Sequence, residues 1–541
     1  MSKGKNANDR RNRSINKTLI IISAEFIVIG ILLIVIGFGN RRTSGNSSAG
    51  NNEIYAGMQA KDNTGADKTD IRTDANNAQK VEKTVNISDN GSNTPAGSGV
   101  SDNTQDAAGD QSDPLNATDP AQGGSDADAV EKARQEEAEL VKNSIEKYNA
   151  DVTATIEAAD LQAAMYDYDK AIETIKAFEG YELDEKMNAA IARYEEQKSK
   201  CVKWHDNTQI SHVFFHSLIY DTSLAFGPGS SQPVGYNRYM TTVSEFNKMM
   251  ESMYEKGFVL VSIHDIARME KQEDGTEKFV AQPIYLPEGK EPFVLSQDDV
   301  NYYLYMEKNG FAEKLVIGED GLPTCMYIEK DGSISYGEYD VVPIIDRFVR
   351  EHPDFSYHGA KGILAVTGFE GALGYDTGLS MKKYDGMDEA EKMALINAER
   401  EEAKKVADAL KADGWEFASH SYTHTSMTTN SVDKVKYDTR RWKEEVEIIL
   451  GPTDVYIYPF GADICDWHGY KGEKFEILKE AGFDYFCNVD SARFWIQLRD
   501  QYFRMGRINL DGERMNVTPE KLTDFFNVKD VYDTSRPEFH K

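Results

Sequence analysis

The stretch that decides the fold runs from Gly414 to His424 and reads GWEFASHSYTH. Its first part, Trp415-Glu416-Phe417-Ala418, is apolar and aromatic enough to predict a buried strand. The strand leads directly into His420 and His424. Two histidines four residues apart share one face of a helical turn, so the spacing predicts that both imidazoles bind one divalent ion.

A second polar group follows another apolar run. Phe293-Val294-Leu295 leads into Ser296-Gln297-Asp298-Asp299. Two adjacent acids at the tip of a strand can divide their roles, one toward a metal and the other toward a water, although such pairs also occur in solvated turns. A carboxylate added to two histidines makes a facial ligand set with open positions. Asp299 is therefore the expected third ligand.

The sequence around these motifs alternates short apolar runs with amphipathic stretches. The strand candidates include HVFFHSL, VLVSIHDI, GILAVTGF, VYIYPFG and YFCNVD. This alternation predicts an α/β fold with parallel strands, in a layer or a barrel. In such folds the chemistry gathers at the carboxyl ends of the strands, where both polar groups stand.

Residues 209–515 resemble the metal-dependent polysaccharide deacetylases with the NodB homology domain, a family similar to carbohydrate esterase family 4. SQDD stands where that family has TFDD, HSYTH matches its H-[ST]-x-x-H, and VYIYPFG stands at the motif written RxPYG. The resemblance implies an incomplete (β/α) barrel that hydrolyses acetyl groups on a glycan. It also implies that Asp299, His420 and His424 hold a divalent metal, most often zinc, and that Asp298 is the general base.

The same resemblance assigns the loop Tyr458-Pro459-Phe460-Gly461 to the substrate and to the oxyanion, which a backbone N–H near Phe460 would help to hold. Asp490 and Trp495 would line the acetyl pocket, although a core tryptophan beside a loop aspartate is an equal alternative. The sequence departs from the family at two places. Ile457 replaces the arginine that holds the base, which leaves Asp298 without its expected partner.

The second departure concerns the general acid. The family ends a strand with Leu-x-His, whereas the run from Arg507 to Gly512 holds no histidine. Asp511 or His468 would be substitutes, and the acid stays unassigned. His216 follows an apolar strand, where packing is the first interpretation and an approach to the site the second.

The amino-terminal part of the chain predicts a membrane anchor. Residues 19–38 are apolar apart from Glu25 and have the length of about 20 residues that spans a bilayer. The tail 1–18 is basic, so we expect it inside the cell, with the catalytic domain outside. Residues 43–128 predict a disordered linker, because Gly, Ser, Asn, Asp and Thr cannot bury enough apolar area.

Residues 129–200 predict a helical spacer or coiled coil, tetratricopeptide-like at most around Leu161–Phe178. A protein partner bound there is the less favoured interpretation. The NodB-type domain is expected over 209–541.

The composition excludes some partners. The chain has 61 Lys+Arg against 91 Asp+Glu, a net charge of −30, which disfavours nucleic acid. Four cysteines are too few for a disulfide scaffold, and at most Cys465 and Cys487 would pair. The leading hypothesis is a membrane-anchored, zinc-dependent enzyme that deacetylates a cell-wall or surface polysaccharide such as an N-acetylglucosamine glycan. The alternative is a carbohydrate-binding protein that kept the fold and lost turnover.

Overall fold

The computed structural model describes residues 124–490 and 492–540. The predicted tail 1–18, the span 19–38 and the linker up to residue 123 lie outside these residues. Over the described ranges, no helix is both long and apolar enough to cross a bilayer.

The secondary structure alternates along the described chain as the sequence pattern predicts. The α-helices are α1 Gly124–Ala164, α2 Tyr168–Lys176, α3 Glu185–Ser199, α4 Thr222–Ala225, α5 Pro233–Tyr239, α6 Val243–Glu255, α7 Ile263–Ile266, α8 Val341–Glu351, α9 Glu389–Ala412, α10 Val432–Glu445, α11 Glu447–Leu450, α12 Glu473–Glu480, α13 Gly512–Val517 and α14 Val528–Val531. The strands are β1 Cys201–Lys203, β2 Ser211–Phe215, β3 Phe258–Leu260, β4 Ala267–Lys271, β5 Glu277–Ala281, β6 Tyr285–Pro287, β7 Glu291–Gln297, β8 Lys314–Ile317, β9 Pro323–Ile328, β10 Ile334–Gly337, β11 Gly362–Val366, β12 Trp415–Ser419, β13 Val455–Ile457, β14 Tyr485–Val489, β15 Ile496–Leu498 and β16 Phe503–Asn509.

Seven parallel strands form a closed barrel in the order β11, β12, β13, β14, β16, β2 and β7, because β7 also pairs with β11. Strand β3 pairs with β7 outside this ring, and β15 runs antiparallel to β16. A parallel barrel with one strand fewer than the eight of a complete (β/α) barrel is the predicted incomplete form. The prediction of an α/β barrel is confirmed.

The barrel strands are buried on both faces, which explains their nearly continuous apolar sequences. Successive residues of one strand belong to different clusters. Leu364 and Val366 pack with the helices α6, α8 and α9, whereas Ile363 and Ala365 pack with inward residues such as Ile457. Because all strands are parallel, their carboxyl ends meet at one rim, where the polar motifs lie.

The helical segment differs from a free spacer. Helix α1 begins inside the predicted linker, and its side chains are exposed from Asp128 to Asp151. From Val152 onward, α1, α2 and α3 contribute apolar side chains to the same cluster as the inward barrel residues. The Tyr166 hydroxyl donates to the Asp354 carbonyl at 2.8 Å, and the His358 N–H donates to the Met165 carbonyl at 2.8 Å. These helices therefore pack as part of the same fold as the barrel.

Candidate metal centre

Three predicted ligands come together at the carboxyl rim of the barrel. Asp299 follows β7, and His420 and His424 follow β12. The Asp299 Oδ1 lies 3.6 Å from Nε2 of His424 and 4.0 Å from Nε2 of His420. Two ligands bound to one ion at about 2.0–2.2 Å are separated by at most about 4.4 Å, so an ion fits between these atoms. The separations are too long for hydrogen bonds.

The tautomer of His420 is set by the neighbouring strand. Its Nδ1 lies 2.9 Å from the carbonyl of Ile457, which makes Nδ1–H the donor and leaves the Nε2 lone pair toward Asp299. Burial lowers the pKa of His420 to about 4, against the opposing charges of Asp298 and Asp299. The imidazole is therefore neutral at pH 7, the state in which it ligates a metal.

The prediction of a helical turn through HSYTH is wrong, since residues 420–425 form a loop. Ser421 has φ 58° and His424 has φ 45°, and this left-handed backbone turns both imidazoles to one side. The carboxylate of Asp438 in α10 holds the loop by accepting the N–H of Tyr422 at 2.6 Å and of Thr423 at 3.0 Å.

Left-handed residues recur around the rim. Asp299 has φ 58° and Phe460 has φ 59°. Such residues other than glycine are uncommon, and backbone strain of about 1–3 kcal/mol each persists where the surroundings enforce it. Several of these residues lie beside the three predicted ligands, which makes this rim the candidate functional end of the barrel.

Asp298 has a partner that the sequence did not reveal. Arg507 in β16 donates from Nη1 to Oδ1 at 2.6 Å and from Nη2 to Oδ2 at 2.8 Å. Ile457 stands where the family has its arginine, and the guanidinium that pairs with Asp298 arrives from another strand instead. Burial raises the pKa of Asp298, but the charge of Arg507 outweighs it and holds that pKa well below its usual range. Asp298 is thus a buried, ionised carboxylate with a fixed orientation.

His216, for which packing was the first interpretation, lies at the site. Its Nδ1 is 3.1 Å from the carbonyl of Tyr239 in α5, which leaves Nε2 for other contacts. Its neighbour Phe215 pairs with Gln297, and the Phe215 carbonyl accepts the Asp298 N–H at 2.8 Å, so His216 and Asp298 leave adjacent strands side by side.

The two predicted substitutes for the general acid have other contacts. Asp511 is buried and caps α13, accepting from the Arg514 N–H at 2.8 Å and from Asn509 Nδ2 at 2.7 Å. Burial raises the pKa of Asp511. His468 is exposed, with its Nδ1 2.6 Å from Asp466 and its ring stacked on Trp467.

The loop Tyr458-Pro459-Phe460-Gly461 follows β13 beside the ligands. Tyr458 and Pro459 are buried, whereas Phe460 is 52% exposed and its ring meets that of His424 at 4.4 Å. Gly461 has φ 63°, and a Cβ there would lie 2.6 Å from Cβ of Val489, so glycine is required. The loop therefore presents Phe460 next to the proposed metal ligands.

Asp490 and Trp495 lie close to each other, and they contact residues other than the three predicted metal ligands. Asp490 accepts the Ala492 N–H at 2.8 Å, and the Trp495 ring stacks on the Arg504 guanidinium at 4.7 Å. Both pack against Gly506. Cys465 and Cys487, the suggested disulfide pair, are free thiols.

Sequence reasoning missed Arg507 as the partner of Asp298, and it put packing first for His216, whose ring lies 5.8 Å from that of Phe214. The signal for Arg507 was present, since FRMGRIN places a charged residue inside an otherwise buried strand, and a buried charge requires a partner. For His216 the position at the end of a strand was the only signal.

Comparison with known proteins finds a family match for part of the chain. Residues 389–486 match the family model described as polysaccharide deacetylase. This confirms the resemblance inferred from the motifs for a segment that holds His420, His424 and the Tyr458–Gly461 loop, whereas Asp298 and Asp299 precede it.

Solved structures with a resemblance include the Streptococcus pyogenes deacetylase PplD in complex with acetate, 13% identical over 60% of this chain and 99% of that chain, with a TM-score of 0.31. Another is BA0330 of Bacillus anthracis, described as a polysaccharide deacetylase, 11% identical over 60% of this chain and 69% of that chain, with a TM-score of 0.33. No curated protein matches the chain.

Proposed function

We propose that this chain, whose residues 389–486 carry the sequence of a polysaccharide deacetylase, is a metal-dependent hydrolase that removes acetyl groups from a glycan. The single observation that carries the proposal is the convergence of Asp299, His420 and His424 beside an arginine-paired Asp298. A binding protein would need no ionised carboxylate oriented next to a ligand set.

The ligand set fits zinc in type and number. Two imidazoles and one carboxylate leave coordination positions open, as catalytic zinc sites require. The bound ion would supply Lewis acidity to the acetyl carbonyl and acidity to a water.

Each remaining role falls to a residue of the chain. Asp298 accepts the proton of the attacking water, and Arg507 keeps the carboxylate ionised and aimed. The backbone around Phe460 stabilises the developing oxyanion. His216, anchored through Nδ1 on Tyr239, donates a proton from Nε2 to the departing amine or hydroxyl.

The contacts of Arg507 and His216 favour the enzyme over the carbohydrate-binding alternative. That alternative depended on two missing groups, the arginine partner of the base and a histidine acid. Arg507 supplies the first contact from β16, and His216 supplies an imidazole near Asp298 from the end of β2.

The proposal also covers the substrate of the enzyme and its location in the cell. An N-acetylglucosamine glycan of the cell wall or surface is the proposed substrate. The apolar run 19–38 and the basic tail before it support a single-pass anchor with the catalytic domain outside the cell. A protein partner at residues 129–200 is less favoured, because α1 from Val152 onward, α2 and α3 already pack on the barrel cluster.

The deciding experiment measures acetate release by the purified chain from N-acetylglucosamine oligomers, peptidoglycan and acetylated xylan, with zinc content determined on the same sample. We expect release that chelation abolishes and zinc restores. Asp298→Asn should lose release while keeping zinc. Zinc binding without release from any substrate would favour the binding protein instead.

A separate experiment tests His216 as the general acid. His216→Asn should lower kcat by about 10²-fold or more, in the range of general acid catalysis. The exposed His468→Asn is the matched control and should keep full activity. Equal activity of His216→Asn and the wild type would remove His216 from the mechanism.

A further inference from the structure

A buried phenol contacts the carboxylate of the candidate metal centre. Tyr303 donates from its hydroxyl to Asp299 Oδ1 at 2.7 Å, and the same hydroxyl lies 2.8 Å from Oγ1 of Thr367. We infer that Tyr303 is a positioning residue that aims Asp299 at the metal. This inference rests on the proposed function, because it requires that Asp299 is a ligand.

The oxygen that receives the phenol is the one closest to the histidines. Asp299 Oδ1 is the atom that lies 3.6 Å from Nε2 of His424 and 4.0 Å from Nε2 of His420. A carboxylate oxygen has two lone pairs. When the phenol occupies one of them, the carboxylate cannot rotate freely, and the second lone pair stays available for the ion.

The ring of Tyr303 stacks against two other aromatic rings. It stacks on Phe369 at 5.2 Å with an interplanar angle of 23°, and on Tyr305 at 5.7 Å with an angle of 21°. Tyr303 itself is 2% exposed. Because the ring cannot tilt, the hydroxyl oxygen stays at one place beside Asp299.

The direction of the hydroxyl hydrogen is set by Thr367, which follows β11. The Thr367 N–H donates to Asn301 Oδ1 at 3.0 Å, and Asn301 Nδ2 donates back to the Thr367 carbonyl at 3.0 Å. An ionised Asp299 can only accept, so the Tyr303 hydroxyl donates to it and the Thr367 hydroxyl donates to Tyr303. The three side chains form an ordered chain that ends on the ligand.

Residues that hydrogen-bond to metal ligands commonly change metal affinity by about 10- to 100-fold when they are removed. Tyr303→Phe keeps the stacked ring and removes only the donor. We expect its zinc dissociation constant to rise by about that factor. Thr367→Val should raise it by a smaller factor, since the phenol remains.

The experiment measures zinc affinity by competition with a chromophoric chelator for the full chain, its Tyr303→Phe and Thr367→Val variants, and Tyr485→Phe. The last is the matched control, because its buried hydroxyl donates to the Ala267 carbonyl at 2.8 Å, where no candidate ligand lies. Saturating zinc should restore most of the kcat of Tyr303→Phe, which a merely structural defect would not allow.

Each outcome decides the inference. Weaker zinc binding by Tyr303→Phe with unchanged binding by Tyr485→Phe supports it. Equal affinity of Tyr303→Phe and wild type overturns it and leaves the proposed function standing. Absence of zinc binding by the wild type overturns both. If Tyr303→Phe does not fold, Thr367→Val decides, and unchanged affinity of that variant overturns the inference.

Discussion

Two groups of histidine and acid side chains lie at opposite ends of the same barrel strands. At the amino end, His264 in α7 has Nδ1 2.7 Å from Glu416 and Nε2 3.0 Å from Asp454. At the carboxyl end, His420 has Nε2 4.0 Å from both Asp298 and Asp299. Glu416 lies in β12 and His420 follows that strand, so one strand contributes to both groups.

The difference in distance gives the two histidines different charges at neutral pH, since His264 is protonated and His420 is neutral. Burial lowers the pKa of His264, but hydrogen bonds to Asp454 and Glu416 outweigh it and raise that pKa to about 10. Burial dominates at His420 and lowers its pKa to about 4. Both nitrogens of His264 carry protons shared with carboxylates, so neither can bind a metal. Residue types alone therefore do not define a metal site, because the separation of the donor atoms decides whether an ion fits between them.

The largest effect is expected for removal of a ligand at the carboxyl end. His420→Ala should lose stoichiometric zinc and reduce acetate release by about 10³-fold or more, since metal acidity carries the chemistry. Metal analysis and the acetate assay check this outcome. His264→Gln serves as the control and should keep its zinc. Full zinc occupancy in His420→Ala would contradict the distinction between the two groups.

The next effect concerns the arginine that replaces the expected motif residue. Arg507→Lys keeps a charge but cannot make two parallel hydrogen bonds to Asp298, so kcat should fall by about 10²-fold while zinc is retained. Arg504→Lys is the matched control, because Arg504 is an equally buried arginine of β16 that pairs with Asp463. We expect it to lower stability with a smaller loss of kcat. Equal losses in both variants would argue against a role specific to Asp298.

The amino-end group should affect stability rather than activity. His264→Gln removes the central partner of two partly exposed acids, and the free energy of unfolding should fall by about 1–3 kcal/mol near neutral pH. The folded pKa of about 10 lies above the ordinary value of about 6.5. The contribution is therefore fully present below about pH 6.5 and is lost as the pH rises through 10.

Denaturant unfolding at about pH 6, 8 and 10 measures the stability of the wild type and of His264→Gln across this range. It checks whether the stability contributed by His264 falls as the pH rises. The difference between the two proteins should shrink as the pH rises. A difference that stays constant over this range would show that His264 is not charged in the folded state.

The smallest effect is expected for Tyr485→Phe, also at the amino end. Loss of its buried hydrogen bond to the Ala267 carbonyl should lower the free energy of unfolding by about 1 kcal/mol. Thermal unfolding measures this change, and acetate release should not alter. A loss of activity larger than the loss of stability would link the two ends of the barrel.

The sequence by itself determined the α/β alternation and the two groups of polar residues at strand ends. Asp298 and Asp299 follow a buried strand, and His420 and His424 follow another, so a parallel arrangement brings them to one rim. The error in this region was local, since a loop with left-handed Ser421 and His424 replaces the predicted helical turn. The spacing of four residues between His420 and His424 is compatible with a helical turn and with this loop.

Only the tertiary structure decided which side chain pairs with Asp298. Arg507 and Asp298 are 209 residues apart, and they meet because β16, β2 and β7 are consecutive strands of the closed barrel. His216 reaches the same rim because β2 lies between these two strands. Contacts across a barrel depend on strand order and register, which local sequence patterns do not encode. For that reason the candidate ligands were readable from motifs, whereas the contact of Arg507, the place of His216 and the charge state of His264 were not.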